Sequence, residues 1–239
     1  MRIDQFLAHT GFGSRKDVKQ LLKQKIVTVD DQIITKPNIH IDPKQAEVLV
    51  DGIEVVYQQY VYLMLHKPQG VISATYDDYD ETVIDLVPIE YAHYPLAPVG
   101  RLDKDTEGLL LLTNDGKINH ILTSPKREIF KTYFAEIDGE VKESHIDLFA
   151  QGVTLDDGYV TKAAHLTILE SGPVSKIELS ISEGKFHQVK RMFEAIDTKV
   201  TYLKRLSMGE ITLDESLPLA DVRELNEDEM AYIKRLKNN

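Results

Sequence analysis

The chain has 239 residues, 42% of them hydrophobic and 28% charged, with a formal net charge of −11 and no cysteine. That length allows one large domain, or a domain of about 150–180 residues beside one of roughly 60, and either arrangement can bury a core. The composition excludes disulfides, thiolate metal sites and cysteine nucleophiles. The acidic balance excludes a protein that coats nucleic acid indiscriminately, because phosphate neutralisation supplies most non-specific affinity.

The N-terminal stretch MRIDQFLAHTGFGSRK lacks the apolar core of a signal peptide, and no later apolar run approaches the ~20 residues of a bilayer span, so a cytoplasmic protein is expected. Charge is uneven along the chain. Residues 1–25 hold six Lys/Arg (Arg2, Arg15, Lys16, Lys19, Lys23, Lys25) against Asp4 and Asp17, a local patch suited to a structured RNA within an acidic protein. A solvated basic helix face is the plainer reading of the same residues.

Ile3, Phe6 and Leu7 recur at helical spacing and Gly11-Phe12-Gly13 ends that short helix. Ser14 is placed as an N-cap, with Asp17 three residues on, for a second helix whose apolar stripe is Val18, Leu21 and Leu22. Val27-Thr28-Val29 and Ile33-Ile34 flank Asp30-Asp31 as a hairpin, and residues 47–56 alternate around Asp51-Gly52. Two helices and a few short strands make a compact α+β unit over 1–57, with 58–60 as a linker. From 61 onward a strand closes at the turn Lys67-Pro68-Gln69-Gly70. Strand-like stretches (131–137, 175–182, 209–213) then alternate with helix-like ones (117–123, 143–150, 187–195, 226–236), which predicts a larger α+β domain over 61–239.

The eight histidines form no pair at i,i+4 and no cluster, so no metal site is expected, and no phosphate loop, dinucleotide fingerprint or nucleophile elbow occurs. Two segments are dense in chemistry. In GRLDKDTEGLLLLTNDG at 100–116 a charged, glycine-containing loop runs into four leucines, which puts Asp103 and Asp105 at the edge of a buried element where ionisation can be tuned. Either carboxylate suits acid, base or nucleophilic work, and they share a face if the segment is a strand. Asn114-Asp115-Gly116 reads only as a turn. In ISEGKFHQVKRMF at 181–193, Lys190 and Arg191 fall in the first turns of a helix, where the dipole does not favour cations, so an anion or a carboxylate partner is expected there.

The N-terminal unit resembles the RNA-binding domain named after ribosomal protein S-four, through RIDQFLA at 2–8, GSR at 13–15, VTVDD at 27–31 and VDG at 50–52. That resemblance implies that Arg15, Lys16 and Lys19 contact RNA phosphates. The remainder resembles the RsuA-type pseudouridine synthases of ribosomal RNA, through YLMLHKPQGVISA at 62–74, the 98–116 segment, TSPKREIFKTY at 123–133, the 181–193 segment and RLSMGEITL at 205–213. The resemblance implies a mixed, mainly antiparallel sheet flanked by helices and a cofactor-free isomerase acting on small-subunit (16S) rRNA or its assembly particle as a monomer. It assigns Asp103 as the catalytic carboxylate, Tyr133 as the face that packs on a flipped base, and Lys190 as the ion-pair partner of Asp103, with Arg191 the alternative. Arg101 would help hold the target nucleotide out of its stack, while Lys185, His187, Arg191 and Lys67 would approach the RNA. The rival readings are the same reaction on large-subunit (23S) rRNA, a non-catalytic ribosome-assembly factor and a glycosidase. Ala220 stands where the resemblance expects glycine.

Overall fold

The computed structural model describes residues 1–238. Two compact units emerge: residues 1–61 with 88–95, and residues 62–87 with 96–239. The first therefore extends past the expected linker, and it takes Pro88–Pro95, which sequence pattern alone leaves in the second domain. That segment carries a single 3-10 turn, Ile89–Tyr91, and the His93 ring lies against Gly11, where a Cβ would meet it at 3.2 Å.

In the first unit α1 (Ile3–His9) and α2 (Arg15–Lys23) are separated by the glycine turn. Ser14 caps α2 as its spacing predicts, accepting from the Asp17 amide while the Asp17 carboxylate accepts from the Ser14 amide at 2.8 Å. Strands β1 (Val27–Val29), β2 (Gln32–Ile33), β3 (Val48–Val50) and β4 (Ile53–Glu54) form an antiparallel sheet in the order β2-β1-β3-β4. Asp30 and Asp31, and likewise Asp51 and Gly52, have positive φ, the geometry of tight two-residue hairpin turns. Ile3, Phe6, Leu7, Val18, Leu22 and Val27 are fully buried, leaving Arg15, Lys16 and Lys19 exposed on α2.

The second unit runs β5 (Tyr62–Lys67), β6 (Ala97–Pro98), β7 (Glu107–Thr113), α3 (Gly116–Thr123), β8 (Lys131–Asp138), α4 (Glu143–Gln151), β9 (His165–Glu170), β10 (Val174–Ile181), α5 (Gln188–Glu194), β11 (Lys199–Met208), β12 (Ile211–Thr212), β13 (Val222–Glu224) and α6 (Glu227–Asn238). Its sheet has the order β13-β5-β7-β11-β8-β10-β9, with β6 on β7 and β12 on β11. Among the named strands of the described residues only β7 and β11 pair in parallel, so the sheet is mixed and mainly antiparallel. Leu109 and Leu111 pack with Ile118, Ile121 and Leu122 of α3 and with Tyr232 and Ile233 of α6. Leu110 and Leu112 are equally buried and, by the period of a strand, face the opposite side. This is why four consecutive leucines make a strand here, each stabilising the fold by about 2 kcal/mol.

Asp115 is more than a turn residue. It is buried, caps α3 by accepting from the Lys117 and Ile118 amides, accepts from the Tyr62 hydroxyl at 2.6 Å and pairs with Lys237 of α6. Burial pushes the Tyr62 hydroxyl up to about 12. Ala220 holds φ +72, a left-handed conformation that suits the glycine expected there.

Candidate active site

Asp103 lies in a turn just before β7, closed by the Thr106 amide donating to the Asp103 carbonyl at 3.1 Å. Lys67, at the end of neighbouring β5, fixes that turn from beneath. Its ammonium donates to the carbonyls of Pro68, Asp103 and Thr106 at 2.9, 3.0 and 2.9 Å. Lys67 is fully buried, and burial pushes it down to about 8. It does not face solvent, so the expectation that it meets RNA is corrected: three carbonyls use its three protons.

Opposite the turn stands α5. His187 caps it in a left-handed conformation, φ +49. The loop before it is knitted around buried Glu183, which accepts from Gln188 Nε2, the Lys162 amide and the Tyr159 hydroxyl at 2.9, 2.9 and 2.7 Å. The Lys185 amide donates to Gln188 Oε1 at 2.9 Å. This scaffold places the Lys190 ammonium 3.2 Å from Asp103 Oδ2 and 2.7 Å from Asp105 Oδ1, with His187 Nε2 at 3.6 Å from Asp103 Oδ1. Asp103 and Asp105 thus converge on one cation from a turn rather than from a strand face.

Burial works against the Lys190 charge, but hydrogen bonds to Asp105 and Asp103 outweigh it and hold the ammonium above its ordinary range. Burial also opposes ionisation of Asp105, and the Lys190 hydrogen bond reverses this, keeping that carboxyl low. Between Lys190 and Arg191, then, the structure pairs Lys190 with Asp103. Arg191 turns away to Asp156 and Asp157, at 2.6 and 2.7 Å. Its guanidinium is committed to two carboxylates, which corrects its assignment as a free RNA contact. Carboxylate partners for both cations explain their place in the first turns of α5.

Asp103 and Lys190 edge a cavity of about 320 Å³. Tyr133 of β8 lines it, as do Leu203 and Arg205 of β11, Ile181 of β10, and Arg101, Lys185, Phe186 and His187 at its rim. Arg101 and Lys185 are exposed, with Lys185 lying 4.4 Å over the Tyr159 ring. Phe186 is 71% exposed and stacks on His187 with ring centres 3.8 Å apart. Of the residues expected at a site in this unit, all but Lys67, Asp105 and Arg191 line this cavity. The sequence reading missed Lys131, Thr106 and Arg205, which line it from buried positions. For Lys131 and Arg205 the signal was a charge at an inward position of strands whose other inward residues are apolar, whereas Thr106, an uncharged turn residue, gave none. Among the described residues no cluster of three metal-ligating side chains occurs and no helix is long and apolar enough to cross a membrane.

Residues 61–195 match the family model of RNA pseudouridylate synthases, and residues 1–46 match the S4 domain. An uncharacterized RNA pseudouridine synthase of Bacillus subtilis is 46% identical over 96% of this chain and 97% of its own. The ribosomal small subunit pseudouridine synthase A of Yersinia pestis is 38% identical over 98% of each chain, and the ribosomal large subunit pseudouridine synthase B of Bacillus subtilis is 36% identical over 100% and 97%. A crystal structure of a pseudouridylate synthase superposes with a TM-score of 0.68 at 34% identity, covering 99% of both chains. A small N-terminal S4 domain followed by this sheet, together with such matches along the full chain, makes the protein a member of the RNA pseudouridine synthase family, an isomerase acting on RNA.

Proposed function

We propose that the protein isomerises one uridine of small-subunit ribosomal RNA, with Asp103 as the catalytic carboxylate. The observation that carries this reading is the Asp103–Lys190 pair at the edge of a cavity walled by Tyr133. The reaction breaks N1–C1′ of the nucleotide, forms C5–C1′, expels the C5 proton and protonates N1, so it has no net redox change and calls for no cofactor. A carboxylate serves either by attacking C1′ or by removing a sugar proton on a route through a glycal. Lys190 sets a positive charge 3.2 Å from that carboxylate and holds it at the cavity's edge.

The target base is inaccessible while stacked and must be flipped, at about a few kcal/mol. Tyr133 offers it an aromatic face. Arg101 at the rim holds the flipped state, while Lys185 and His187 meet the neighbouring backbone. In the N-terminal unit Arg15, Lys16 and Lys19 anchor RNA phosphates, giving a salt-dependent affinity that the acidic remainder confines to structured sites. The protein acts as a cytoplasmic monomer. Small-subunit RNA is preferred because KPQG at 67–70 and HQVKRMF at 187–193 have the small-subunit character. The similarity to a small-subunit synthase supports the same choice.

Incubating the protein with each ribosomal RNA and mapping pseudouridine tests this. Modification confined to the small-subunit RNA and absent with Asp103→Asn is expected. Modification only of the large-subunit RNA would change the substrate, and an active Asp103→Asn would end the assignment of the carboxylate.

A further inference from the structure

Among the described residues three buried side-chain atoms have no hydrogen-bond partner: His66 Nε2, Thr106 Oγ1 and Arg205 Nη2. Two of the three belong to residues that line the cavity described above. Each unmet polar atom of this kind costs about 1–3 kcal/mol, so their pairing at one cavity calls for a ligand that meets them. Arg205 is 2% exposed, and its Nε donates to the Leu109 carbonyl at 2.8 Å. That bond fixes the plane of the guanidinium and leaves Nη2 open. The backbone of Arg205 is pressed against β7 at Gly108, where a Cβ would stand 2.3 Å from the Arg205 carbonyl oxygen. On its other side Arg205 sits in register with Tyr133 of β8, and residues so opposed carry Cβ atoms about 5 Å apart. A base seated on Tyr133 therefore has Arg205 beside it. Lys131, two residues before Tyr133 on the same strand face, is also buried, and burial first and the Arg205 charge second push its ammonium below the ordinary lysine range. The buried Glu183 carboxylate acts on Lys131 in the opposite sense, while Arg205 Nη2 is left without a hydrogen-bond partner.

We infer that Arg205 and Thr106, with Lys131 beside them, form a subsite for the carbonyl edge of uracil that takes up the charge the base gains when it leaves the sugar. The inference rests on the function proposed above. When N1–C1′ breaks, the base keeps the electron pair and its charge spreads over N1, O2 and O4. A fixed guanidinium and hydroxyl at either carbonyl stabilise that anion without reorganising. They also retain the base while it turns from N1 to C5. Attack of C5 on C1′ then releases the C5 proton to solvent and N1 takes one up, which balances the step.

The test is single-turnover tritium release from small-subunit ribosomal RNA labelled at uridine C5, alongside RNA affinity by filter binding and a thermal melt. Arg205→Gln lowers the saturating rate about 100-fold while RNA affinity stays within about threefold. Arg205→Lys, which keeps a cation, recovers about tenfold of that loss, and Thr106→Val lowers the rate about tenfold. A rate for Arg205→Gln close to wild type beside an inactive Asp103→Asn overturns the subsite alone, as does a loss seen wholly as weaker RNA binding. If Arg205→Gln does not fold, wild-type rates in both Arg205→Lys and Thr106→Val overturn it. A wild-type protein that releases no tritium from either ribosomal RNA overturns the proposed function and the subsite with it.

Discussion

Strand β7 carries a carboxylate–lysine pair beyond each end, and the two pairs are built for different purposes. Past its C-terminal end, Asp115 is 3% exposed and has every acceptor in use: two helix amides, the Tyr62 hydroxyl and Lys237. Before its N-terminal end, Asp103 is 32% exposed, and among the described residues its carboxylate meets Lys190 and, more distantly, His187. The first pair locks α3 and α6 to the sheet. The second leaves carboxylate lone pairs facing a cavity, which suits the catalytic role proposed for Asp103.

Exchanging each carboxylate for its amide should separate the two roles. Asp103→Asn is expected to lower the isomerisation rate by about 10⁴-fold and move the melting temperature little. Asp115→Asn should do the reverse, costing about 1–3 kcal/mol of stability while the rate of the folded protein is kept. A rate assay and a thermal melt on both variants check this, and equal effects on both readouts would erase the distinction.

The lysines sharpen it further. Lys190→Met should lower the rate about 100-fold, and Lys190→Arg should restore part of it, since the charge returns with a different donor geometry. Stopped assays at saturating RNA measure both.

Acid separates the pairs through stability. Burial opposes the Asp115 charge, but the Lys237 and Tyr62 hydrogen bonds outweigh it and hold the folded carboxyl below its ordinary value. A depressed folded pKa contributes stability that is complete above the unfolded value of about 3.9 and is lost as pH falls through the folded one. Wild type and Asp115→Asn should therefore converge in melting temperature as pH drops from about 5 toward 2. A gap that persists at the lowest pH would show that the pair does not carry the difference. The smallest effect is expected at Ala220, outside both clusters: Ala220→Gly should raise stability by about 0.5–1 kcal/mol by relieving positive φ, with the rate unaltered, as melting and rate assays would show.

What could be read in advance followed the range of the interactions. The Ser14–Asp17 cap and the two aspartate-bearing turns depend on neighbours within a few residues, and each formed as the pattern predicts, while the leucine run was legible as a buried element and proved to be a strand. Asp115 was read as a turn because Asn-Asp-Gly is a turn signal, while its deciding partners, Tyr62 and Lys237, lie far away in sequence. Lys67 was expected to approach the RNA, since no pattern shows that backbone carbonyls will surround a lysine. Lys190 and Arg191 are adjacent on α5 and about 100° apart around it, so which one meets Asp103 depends on tertiary placement. The segments proposed to carry the chemistry stood out because they are local runs of charge against apolar strands. The cavity floor was less so, because Arg205 and Lys131 matter through the depth at which they are buried.

The central claim is that Asp103, and not the neighbouring Asp105 that holds Lys190 more closely, acts on the sugar. Single-turnover tritium release by Asp103→Asn and Asp105→Asn from the same labelled small-subunit RNA compares them directly. The account predicts no detectable release with Asp103→Asn and a loss of less than about tenfold with Asp105→Asn, whose carboxylate tunes Lys190 without touching the reacting atoms. An active Asp103→Asn beside an inactive Asp105→Asn would contradict it.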